Sequence, residues 1–308
     1  MNYTLHQLQI FLKITQLKSI TKASEALFLS QPAVSIQLKK FQDQFSIPLT
    51  EVVGRQLYVT DFGWEIAEAA EKILNQVQAI NYKTMSFKGQ VAGRLKISVV
   101  STGKYVMPYF LSDFTNRNTG VDLIMDVTNK TSVIKSLENN EVDFALVSVI
   151  PDQLNLSRVE LMENKLYLIS GTKEKFDLKV KQKKIFETYP MLYREDGSAT
   201  RNAMETFIAS HNISTSNKRM ELTSNEALKQ AVIAGLGYSI MPLIGIKNEL
   251  KNGDLRIIPF KDLPMTTTWN LVWQKSKNLS PVAMAYLDFL KEEKDRIIKE
   301  NFDWYDDY

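Results

Sequence analysis

The apolar positions of the first 45 residues repeat at helical spacing and predict three short helices. Residues 4–16 place leucines and a phenylalanine on one face of an amphipathic helix. Residues 19–45 divide into two helices at a tight turn, and alanines on the first of them allow a close, steep crossing. The second helix is expected to begin at Ser30, a favourable N-cap, with Pro32 in its first turn. All three helices are expected to share one small core.

After a break at Pro48 the pattern changes to two short β-strands. Apolar residues at 52–53 and 57–59 flank Gly54 and Arg55, which is typical of a hairpin with Arg55 at or near its tip. Three helices followed by a hairpin describe a winged helix-turn-helix, and an arginine at the tip can reach a DNA phosphate or the minor groove. A small helical bundle with a solvated polar face is the alternative.

One long helix is predicted for residues 64–88, which contain no glycine or proline. Its apolar positions alternate steps of four and three residues, a heptad pattern that favours a coiled coil between two copies. A two-fold dimer would present two recognition helices to a pseudo-palindromic DNA site. A helix docked on its own domain is the other interpretation. The expected dimerisation stripe consists of Ile66, Ala70, Ile73, Val77, Ile80, Thr84 and Phe87.

Beyond the glycines at 89 and 93, strand-length apolar runs alternate with helical segments, which predicts an α/β sheet. The first set has strands at 95–100, 121–127 and 143–149, with helices at 105–116 and 132–139. The second set has strands at 165–170, 191–193, 219–222 and 238–241, with helices at 200–211 and 225–234. A strand at 267–273 and a helix at 281–299 return to the first set, and the acidic residues 301–308 are expected to be loose. Two such lobes enclose a cleft, which is the default ligand site.

These patterns predict an N-terminal winged helix-turn-helix, a long linker helix and a C-terminal two-lobed α/β domain. The expected ranges are 1–62 for the DNA-binding domain, 63–90 for the linker and dimerisation helix, and 91–308 for the ligand-binding domain. Within the last of these, lobe I is expected to take about 91–163 and 266–300, and lobe II about 164–265.

The composition removes several kinds of chemistry from consideration. The 308-residue chain has no cysteine, which excludes disulfides, thiolate metal sites and cysteine nucleophiles. His6 and His211 are the only histidines, which are too few for a histidine-rich metal site and leave little choice for a Ser-His-Asp triad. We therefore expect no catalytic residues, metal or cofactor. The N-terminus lacks a secretory signal pattern, and no apolar run approaches the ~20 residues that span a bilayer. A cytoplasmic protein without a membrane partner is expected.

Positive charge is concentrated at the N-terminus. The whole chain has a formal net charge of +3, and residues 1–60 carry six cations and three anions, which is the same excess. This distribution favours a polyanionic partner for the N-terminal module.

Five short runs of sequence resemble one known family, the LysR-type bacterial transcriptional regulators. Two of them, TKASEAL at 21–27 and LSQPAVS at 29–35, are similar to its helix-turn-helix. The runs STGKY at 101–105, EDGSATR at 195–201 and SNEALKQAV at 224–232 look like the branch that includes regulators of RuBisCO operons. The resemblance covers nearly the whole chain. It implies a winged helix-turn-helix, a linker helix and a two-lobed effector domain like the periplasmic binding proteins.

The resemblance also implies partners. These are double-stranded promoter DNA, a phosphorylated or redox metabolite, and further copies of the chain in dimers and tetramers, with RNA polymerase as another candidate. Two positions depart from the family pattern, because Ile36 stands where a basic residue is common and Val52 where an arginine is usual. Losing these cations removes phosphate or base-edge contacts, so it affects DNA affinity and operator choice but not the binding mode.

The exposed face of the second paired helix carries the candidates for DNA contact. Amide side chains both donate and accept hydrogen bonds at base edges, and Pro32 can touch a thymine methyl. Gln37 and Lys40 are equally typical of plain solvated side chains. The base-edge candidates are Gln31, Pro32, Ser35 and Gln37, and the backbone candidates are Lys39, Lys40, Arg55 and Thr60.

The end of the first α/β strand carries the candidates for effector contact. Ser101, Thr102 and Gly103 lead into a helix, where free N–H groups and the helix dipole favour an anion, although ordinary capping is the alternative. Arg201 could pair bidentately with a carboxylate or phosphate, or form a structural salt bridge. The residues expected to face the first three across the cleft are Thr128, Ser148, Ser198, Thr200 and Arg201.

A ligand-responsive, DNA-binding regulator is the function these observations favour. The competing class is an α/β enzyme or solute-binding protein whose N-terminal helices only pack. The absence of an acid–base or nucleophile constellation and of an export signal argues against that class.

Overall fold

The computed structural model describes residues 2–54, 56–172, 182–216 and 218–308, and the chain divides into two compact units at residue 90. The N-terminal unit, Met1–Gln90, contains six regular elements. They are α1 (Leu5–Leu17), α2 (Ile20–Ala26), α3 (Gln31–Gln42), β1 (Thr50–Val53), β2 (Gln56–Val59) and α4 (Asp61–Phe87).

Side-chain caps fix the starts of the N-terminal helices. Thr4 and Gln7 form a capping box at α1, and the Ser30 hydroxyl accepts the Ala33 N–H at 3.3 Å at α3. Fully buried Ala23 lets α2 and α3 approach closely, as the alanine spacing predicted. The strands β1 and β2 form an antiparallel hairpin. The shared core consists of Leu8, Ile10, Phe11, Ile14, Ala23, Val34, Leu38, Phe41, Leu49, Ala67 and Ala70.

The C-terminal unit, Val91–Tyr308, alternates strands and helices. Its first part contains β3 (Ala92–Val100), α5 (Met107–Arg117), β4 (Gly120–Thr128), α6 (Lys130–Glu138), β5 (Phe144–Val147) and β6 (Leu156–Gly171). Then follow α7 (Gln182–Thr188), β7 (Met191–Arg194), α8 (Ala199–Ser210), β8 (Arg219–Leu222), α9 (Asn225–Ile233) and β9 (Ser239–Pro242). The chain continues with α10 (Lys247–Asn252), β10 (Leu255–Ile257), β11 (Met265–Gln274) and α11 (Pro281–Phe302).

Two long strands carry the sheet from one lobe of this unit to the other. The strand order is β10-β6-β11-β5-β3-β4, with β9 also paired to β6, while β7 and β8 form a separate parallel pair. β6 has 16 residues, pairs antiparallel with β11 along most of its length, and ends against β9 and β10. β3 pairs in parallel with β4 and β5. This crossing of β6 and β11 gives the two-lobed architecture, and the predicted fold class is confirmed.

Each lobe has apolar side chains packed on its strands. The larger cluster surrounds fully buried Trp269 and Tyr286, which lie on β11 and α11. A second cluster lies in lobe II, where Phe186 and Tyr238 are fully buried. It packs α7 and α8 against β7, β9 and the end of β6. The predicted strand at 165–170 is the end of a longer one, because β6 begins at residue 156 in lobe I.

The expectation that residues 301–308 are loose is wrong. α11 extends to Phe302, and a 3-10 turn, Asp303–Asp307, follows it. Phe302 and Tyr305 are 3% and 4% exposed, and the backbone N–H of Lys165 donates to the Tyr305 hydroxyl at 3.0 Å. Phe302 and Tyr305 are buried while the aspartates of the segment stay exposed, so the acidic composition misled the prediction.

Along the part of the chain that the structure describes, no helix is both long enough and apolar enough to span a membrane.

Candidate functional site

The N-terminal end of α3 presents three of the predicted base-edge residues together. Gln31 and Pro32 are exposed, and the Gln31 side-chain amide donates to the Ser35 hydroxyl at 3.2 Å. Gln37 lies on a different side of the helix, where its amide oxygen accepts a hydrogen bond from Gln7 of α1 at 3.2 Å. The predicted set therefore separates into two parts. Exposed Gln31 and Pro32 and half-buried Ser35 form a patch, called the α3 patch below, whereas Gln37 lies between two helices.

The predicted backbone contacts occupy different surroundings. Lys39 and Lys40 are exposed in the last turn of α3, where cations also complement the helix dipole. The Thr60 hydroxyl donates to the Pro48 carbonyl at 2.7 Å and accepts the Gly63 N–H at 2.9 Å, so it joins the hairpin base to α4. Arg55 lies outside the described residues.

The stripe predicted for dimerisation is divided along α4. Ala70 is 1% exposed within the core of its own unit, and Ile66 is half-buried against that core. Ile73, Ile80 and Phe87 are 39%, 62% and 96% exposed. The first two positions are therefore already used for packing within the unit, and the free part of the stripe begins at residue 73.

In the C-terminal unit, Ser101 lies where the two lobes meet. Its hydroxyl oxygen accepts hydrogen bonds from Arg194 Nη2 at 3.1 Å and from Asn225 Nδ2 at 3.2 Å. Ser101 follows β3 in lobe I, whereas Arg194 ends β7 and Asn225 begins α9 in lobe II. These three residues are called the lobe junction below.

The Arg194 guanidinium of the lobe junction is fully engaged although it is 2% exposed. Nε and Nη2 donate to the two carboxylate oxygens of Glu195 at 2.7 and 2.8 Å, and Nη1 donates to the side-chain oxygen of Asn225. A bidentate arginine–carboxylate pair is geometrically specific, and the attraction between the two charges is stronger in a buried, low-dielectric surrounding than in water. Arg194 was not among the residues predicted for effector contact, although it directly precedes the run EDGSATR at 195–201.

The expected helix N-terminus at Ser101–Thr102–Gly103 is a single 3-10 turn, Gly103–Tyr105, and α5 begins only at Met107. Thr102 and Gly103 are buried, and a Cβ on Gly103 would lie 2.4 Å from Val99 and 2.7 Å from Leu146. Close packing therefore explains this glycine. The helix-dipole argument for an anion at these three residues does not hold, since the α-helix starts further along the chain.

The remaining effector candidates spread over both sides of the cleft. Thr128 ends β4 and Ser148 follows β5, and both are half-buried. Ser198 and Thr200 are buried at the start of α8. The preceding loop approaches lobe I, because a Cβ on Gly197 would lie 2.8 Å from the Thr131 hydroxyl.

Arg201 is engaged within its own lobe. Its guanidinium donates to Glu205 at 3.0 Å and to Glu221 at 2.8 Å. The hydrogen bond with Glu205 is the largest cause that raises the pKa of Arg201, and the charges of both carboxylates also raise it. Of the two interpretations that the sequence left open, the structure has Arg201 in salt bridges rather than directed at the lobe junction.

A second set of polar contacts joins the lobes through Glu226, which directly follows Asn225 in the first turn of α9. The Tyr105 hydroxyl donates to Glu226, and Lys229 Nζ lies 3.0 Å from Glu226 and 2.8 Å from Glu249. Burial alone would raise the pKa of Glu226, but the hydrogen bonds from Tyr105 and Lys229 outweigh it and lower that pKa. Burial is the largest cause that raises the pKa of Tyr105, and the hydrogen bond with the Glu226 carboxylate raises it further. None of these four side chains was among the residues predicted for effector contact.

A cavity of about 430 Å³ adjoins these contacts. Tyr105, Lys229 and Glu249 contribute to its wall, so it shares three residues with the polar set but contains none of the predicted effector residues. Its other lining residues are Lys104, Pro108, Tyr109, Ile244, Gly245, Lys247, Asn248, Asn301, Phe302 and Trp304. Within the described ranges, no group of three or more His, Asp or Glu side chains is arranged to hold a metal ion.

Two family models match the chain in succession. Residues 5–64 match the bacterial regulatory helix-turn-helix protein of the lysR family, and residues 88–295 match the LysR substrate binding domain. Together they cover most of the sequence.

Several known proteins are similar over comparable lengths. The HTH-type transcriptional activator CmpR of Synechocystis sp. is 35% identical over 94% of this chain and 95% of its own length. The RuBisCO operon transcriptional regulator of Allochromatium vinosum is 34% identical over 96% of this chain and 98% of its own length. The regulatory domain of Synechocystis PCC6803 CcmR, solved in complex with 2-PG, is 29% identical with a TM-score of 0.60, covering 64% of this chain and 95% of that one.

Proposed function

The chain belongs to the LysR family of bacterial transcriptional regulators, a family of DNA-binding proteins rather than enzymes, and we propose that a small anionic metabolite controls its promoter binding. As the sequence predicted, its relatives include regulators of RuBisCO operons. The proposed ligand binds between the two lobes of the C-terminal unit, and the α3 patch of the N-terminal unit contacts base edges. This function implies that the protein works in the cytoplasm, where bacterial promoters lie.

One observation supports the proposed effector site above the others. The lobe junction holds a buried guanidinium whose partners come from both lobes and include the Glu195 carboxylate. A carboxylate or phosphate of suitable size could replace Glu195 as the partner of Arg194, because all three are oxyanions that accept bidentate hydrogen bonds. Such a ligand favours one arrangement of the lobes over another to the extent that it binds them with different affinity.

The DNA-binding half of the proposal is tested by footprinting and gel shifts with DNA from around the chain's own gene. We expect a salt-sensitive, footprinted complex that Gln31→Ala weakens, since this amide lies at the exposed N-terminal end of α3. Gln76→Ala is the matched control, because Gln76 is exposed on α4 outside the α3 patch. Absence of a footprinted complex with the wild-type chain would contradict the proposal.

The effector half is tested by thermal shift of the full chain with 2-PG, the compound in the complex of the CcmR regulatory domain. A ligand that binds only the folded state raises the melting temperature by mass action. We expect a rise that grows with the logarithm of ligand concentration above the dissociation constant, while glycerol at equal concentration gives no such rise. Ser101→Ala removes one hydroxyl of the lobe junction and should reduce the shift. If the shift occurs but Ser101→Ala leaves it unchanged, the ligand site lies elsewhere.

The assembly follows from the same proposal. Two copies pair through the free part of the α4 stripe, pairs associate into tetramers, and a change in lobe arrangement re-spaces the recognition helices on the promoter. RNA polymerase remains a candidate partner of the DNA-bound assembly.

A further inference from the structure

The turn between α2 and α3 contains an aromatic residue, Phe28, whose backbone conformation is unfavourable and whose side chain is exposed. Phe28 has a φ of +55° and its side chain is 96% exposed. The Phe28 N–H donates to the Glu25 carbonyl at 3.2 Å, and the Leu29 N–H donates to the Ser24 carbonyl at 2.9 Å. These two hydrogen bonds form a Schellman motif that ends α2, with Phe28 at the left-handed position following the helix.

This position is one that glycine or asparagine normally occupies, because a side chain with a Cβ is strained in the left-handed region. The other described non-glycine residues with positive φ are polar: Lys18, Asn140, Asn212 and Asp262. Phe28 therefore combines backbone strain, which lowers the stability of the folded unit, with a large apolar ring whose burial contributes almost nothing to that stability. Strain that the fold does not need is a recognised indication of function.

The position of Phe28 on the surface indicates what that function is. It lies two residues before Ser30, the N-cap of α3, and beside the α3 patch that the proposed function assigns to base edges. The ring has no charge or hydrogen-bonding group, so it cannot replace a phosphate contact. The apolar group that base edges offer in the major groove is the C5-methyl of thymine.

We propose that Phe28 is a specificity-determining residue whose ring packs against a thymine methyl at the edge of the site that α3 reads. This inference rests on the proposed function, since it requires α3 to enter the major groove. It makes a distinctive prediction: replacing Phe28 with asparagine stabilises the free protein and weakens specific DNA binding.

The experiment measures the affinity of full-length protein for the footprinted DNA from around its own gene, with thymine or with uracil throughout the footprint. Uracil lacks only the methyl group, and comparing two proteins on both duplexes cancels general effects of uracil on DNA shape. We expect uracil to weaken the wild-type complex about three- to tenfold more than the Phe28→Asn complex, as expected for a lost apolar contact. The salt dependence of binding should not change, because no phosphate contact is lost.

Two further variants separate the contact from the strain. Lys18→Asn relieves the same kind of left-handed backbone at the end of α1, so it should stabilise the protein without reducing its sensitivity to uracil. Phe28→Leu keeps an apolar side chain and should retain part of that sensitivity. For Phe28→Asn we expect the melting temperature to rise by about 2–5 °C.

The outcomes distinguish this inference from the proposed function. If the wild-type chain forms no footprinted complex, the regulator proposal and this inference both fail. If the wild-type chain binds but Phe28→Asn and wild-type respond equally to uracil, the thymine contact is wrong while the regulator proposal stands. A Phe28→Asn protein that melts at a lower temperature than wild type would show that the ring stabilises the fold, which also overturns the inference.

Discussion

The Arg194 side chain illustrates how one buried charge joins two parts of the chain. Its guanidinium bonds with Glu195, Asn225 and Ser101 while only 2% exposed, so its desolvation is offset by charge-assisted hydrogen bonds in every direction. Removing Arg194 takes the donor from the Glu195 carboxylate and from the Asn225 side-chain oxygen at the same time. The arrangement therefore depends on this one guanidinium.

We predict that Arg194→Met lowers the free energy of unfolding by about 2–4 kcal/mol, because the variant leaves the Glu195 carboxylate and the Asn225 side-chain oxygen without their donor. Arg201→Met is the matched comparison, since Arg201 pairs with the more exposed Glu205 and Glu221 and its loss should cost about 1 kcal/mol or less. Urea unfolding of the full chain measures both. Equal losses for the two variants would show that burial at the lobe junction adds nothing.

Glu226 leads to a prediction about acid stability. Its pKa is lowered in the folded protein from an ordinary value of 4.5, so its contribution is present above pH 4.5 and is lost as the pH falls through the folded pKa. We expect the melting temperature of wild type to fall below pH 4.5 more steeply than that of Glu226→Gln. Glu292→Gln, an exposed substitution on α11, is the control and should retain the wild-type slope.

The helix α4 serves two purposes along its length. Its first third packs into the N-terminal core through Ala67 and Ala70, so that part of the helix is docked on its own domain, as one interpretation of the sequence held. From Ile73 onward the stripe includes two large apolar side chains, Ile80 and Phe87, that are mostly exposed. Exposed apolar residues at heptad spacing favour a partner helix over water.

We predict that Ile80→Asp breaks the proposed dimer, because it places a charge in the middle of the apolar contact. Asn75→Asp adds the same charge on the opposite side of α4 and should leave association unchanged. Analytical ultracentrifugation of both variants measures the dissociation constant, which should rise at least about tenfold for Ile80→Asp alone. A wild-type chain that stays monomeric at micromolar concentration would rule out this role for α4.

The C-terminal 3-10 turn closes over the strand β6. Tyr305 is 4% exposed, its hydroxyl accepts the Lys165 N–H, and Lys165 Nζ donates to the Tyr305 carbonyl at 3.0 Å. We predict that Tyr305→Ala destabilises the protein by about 3–5 kcal/mol, the usual cost of replacing a buried aromatic side chain with alanine and leaving a cavity. Tyr308→Ala, at a residue that is 42% exposed, should change stability by less than about 1 kcal/mol. Thermal unfolding of the two variants checks this contrast.

The molecule as a whole carries a small net charge of +3, and its distribution decides how that charge acts. Exposed Lys39 and Lys40 lie on the same helix as the α3 patch, where they can contact phosphates. A phosphate contact weakens with salt, whereas a change in overall charge far from the DNA has little local effect.

We predict that Lys39→Gln lowers the slope of log affinity against log salt concentration by about one and weakens binding to all sequences similarly. Lys251→Gln makes the same change in net charge at an exposed position in the C-terminal unit. Fluorescence anisotropy over a salt series should show the smaller slope for Lys39→Gln only. If both variants shift the slope equally, net charge and not local contact governs binding.

The local patterns of the sequence determined the winged helix-turn-helix, the long helix and the alternating α/β unit. Those features depend on short-range periodicity and on caps such as Ser30, which act over a few residues. The same is true of the α3 patch, because Gln31 and Ser35 are one helical turn apart.

Only the tertiary structure decided which side chains meet across the lobes. Ser101 bonds with residues 93 and 124 positions away, and no periodicity connects them. It also decided that Ala70 belongs to its own core, that Tyr305 is buried, and that Phe28 has a left-handed backbone with its ring in solvent. The physical reason is that burial and long-range hydrogen bonding depend on how helices and strands pack together. The spacing of residues in the sequence determines only the face of its own helix or strand on which a residue lies.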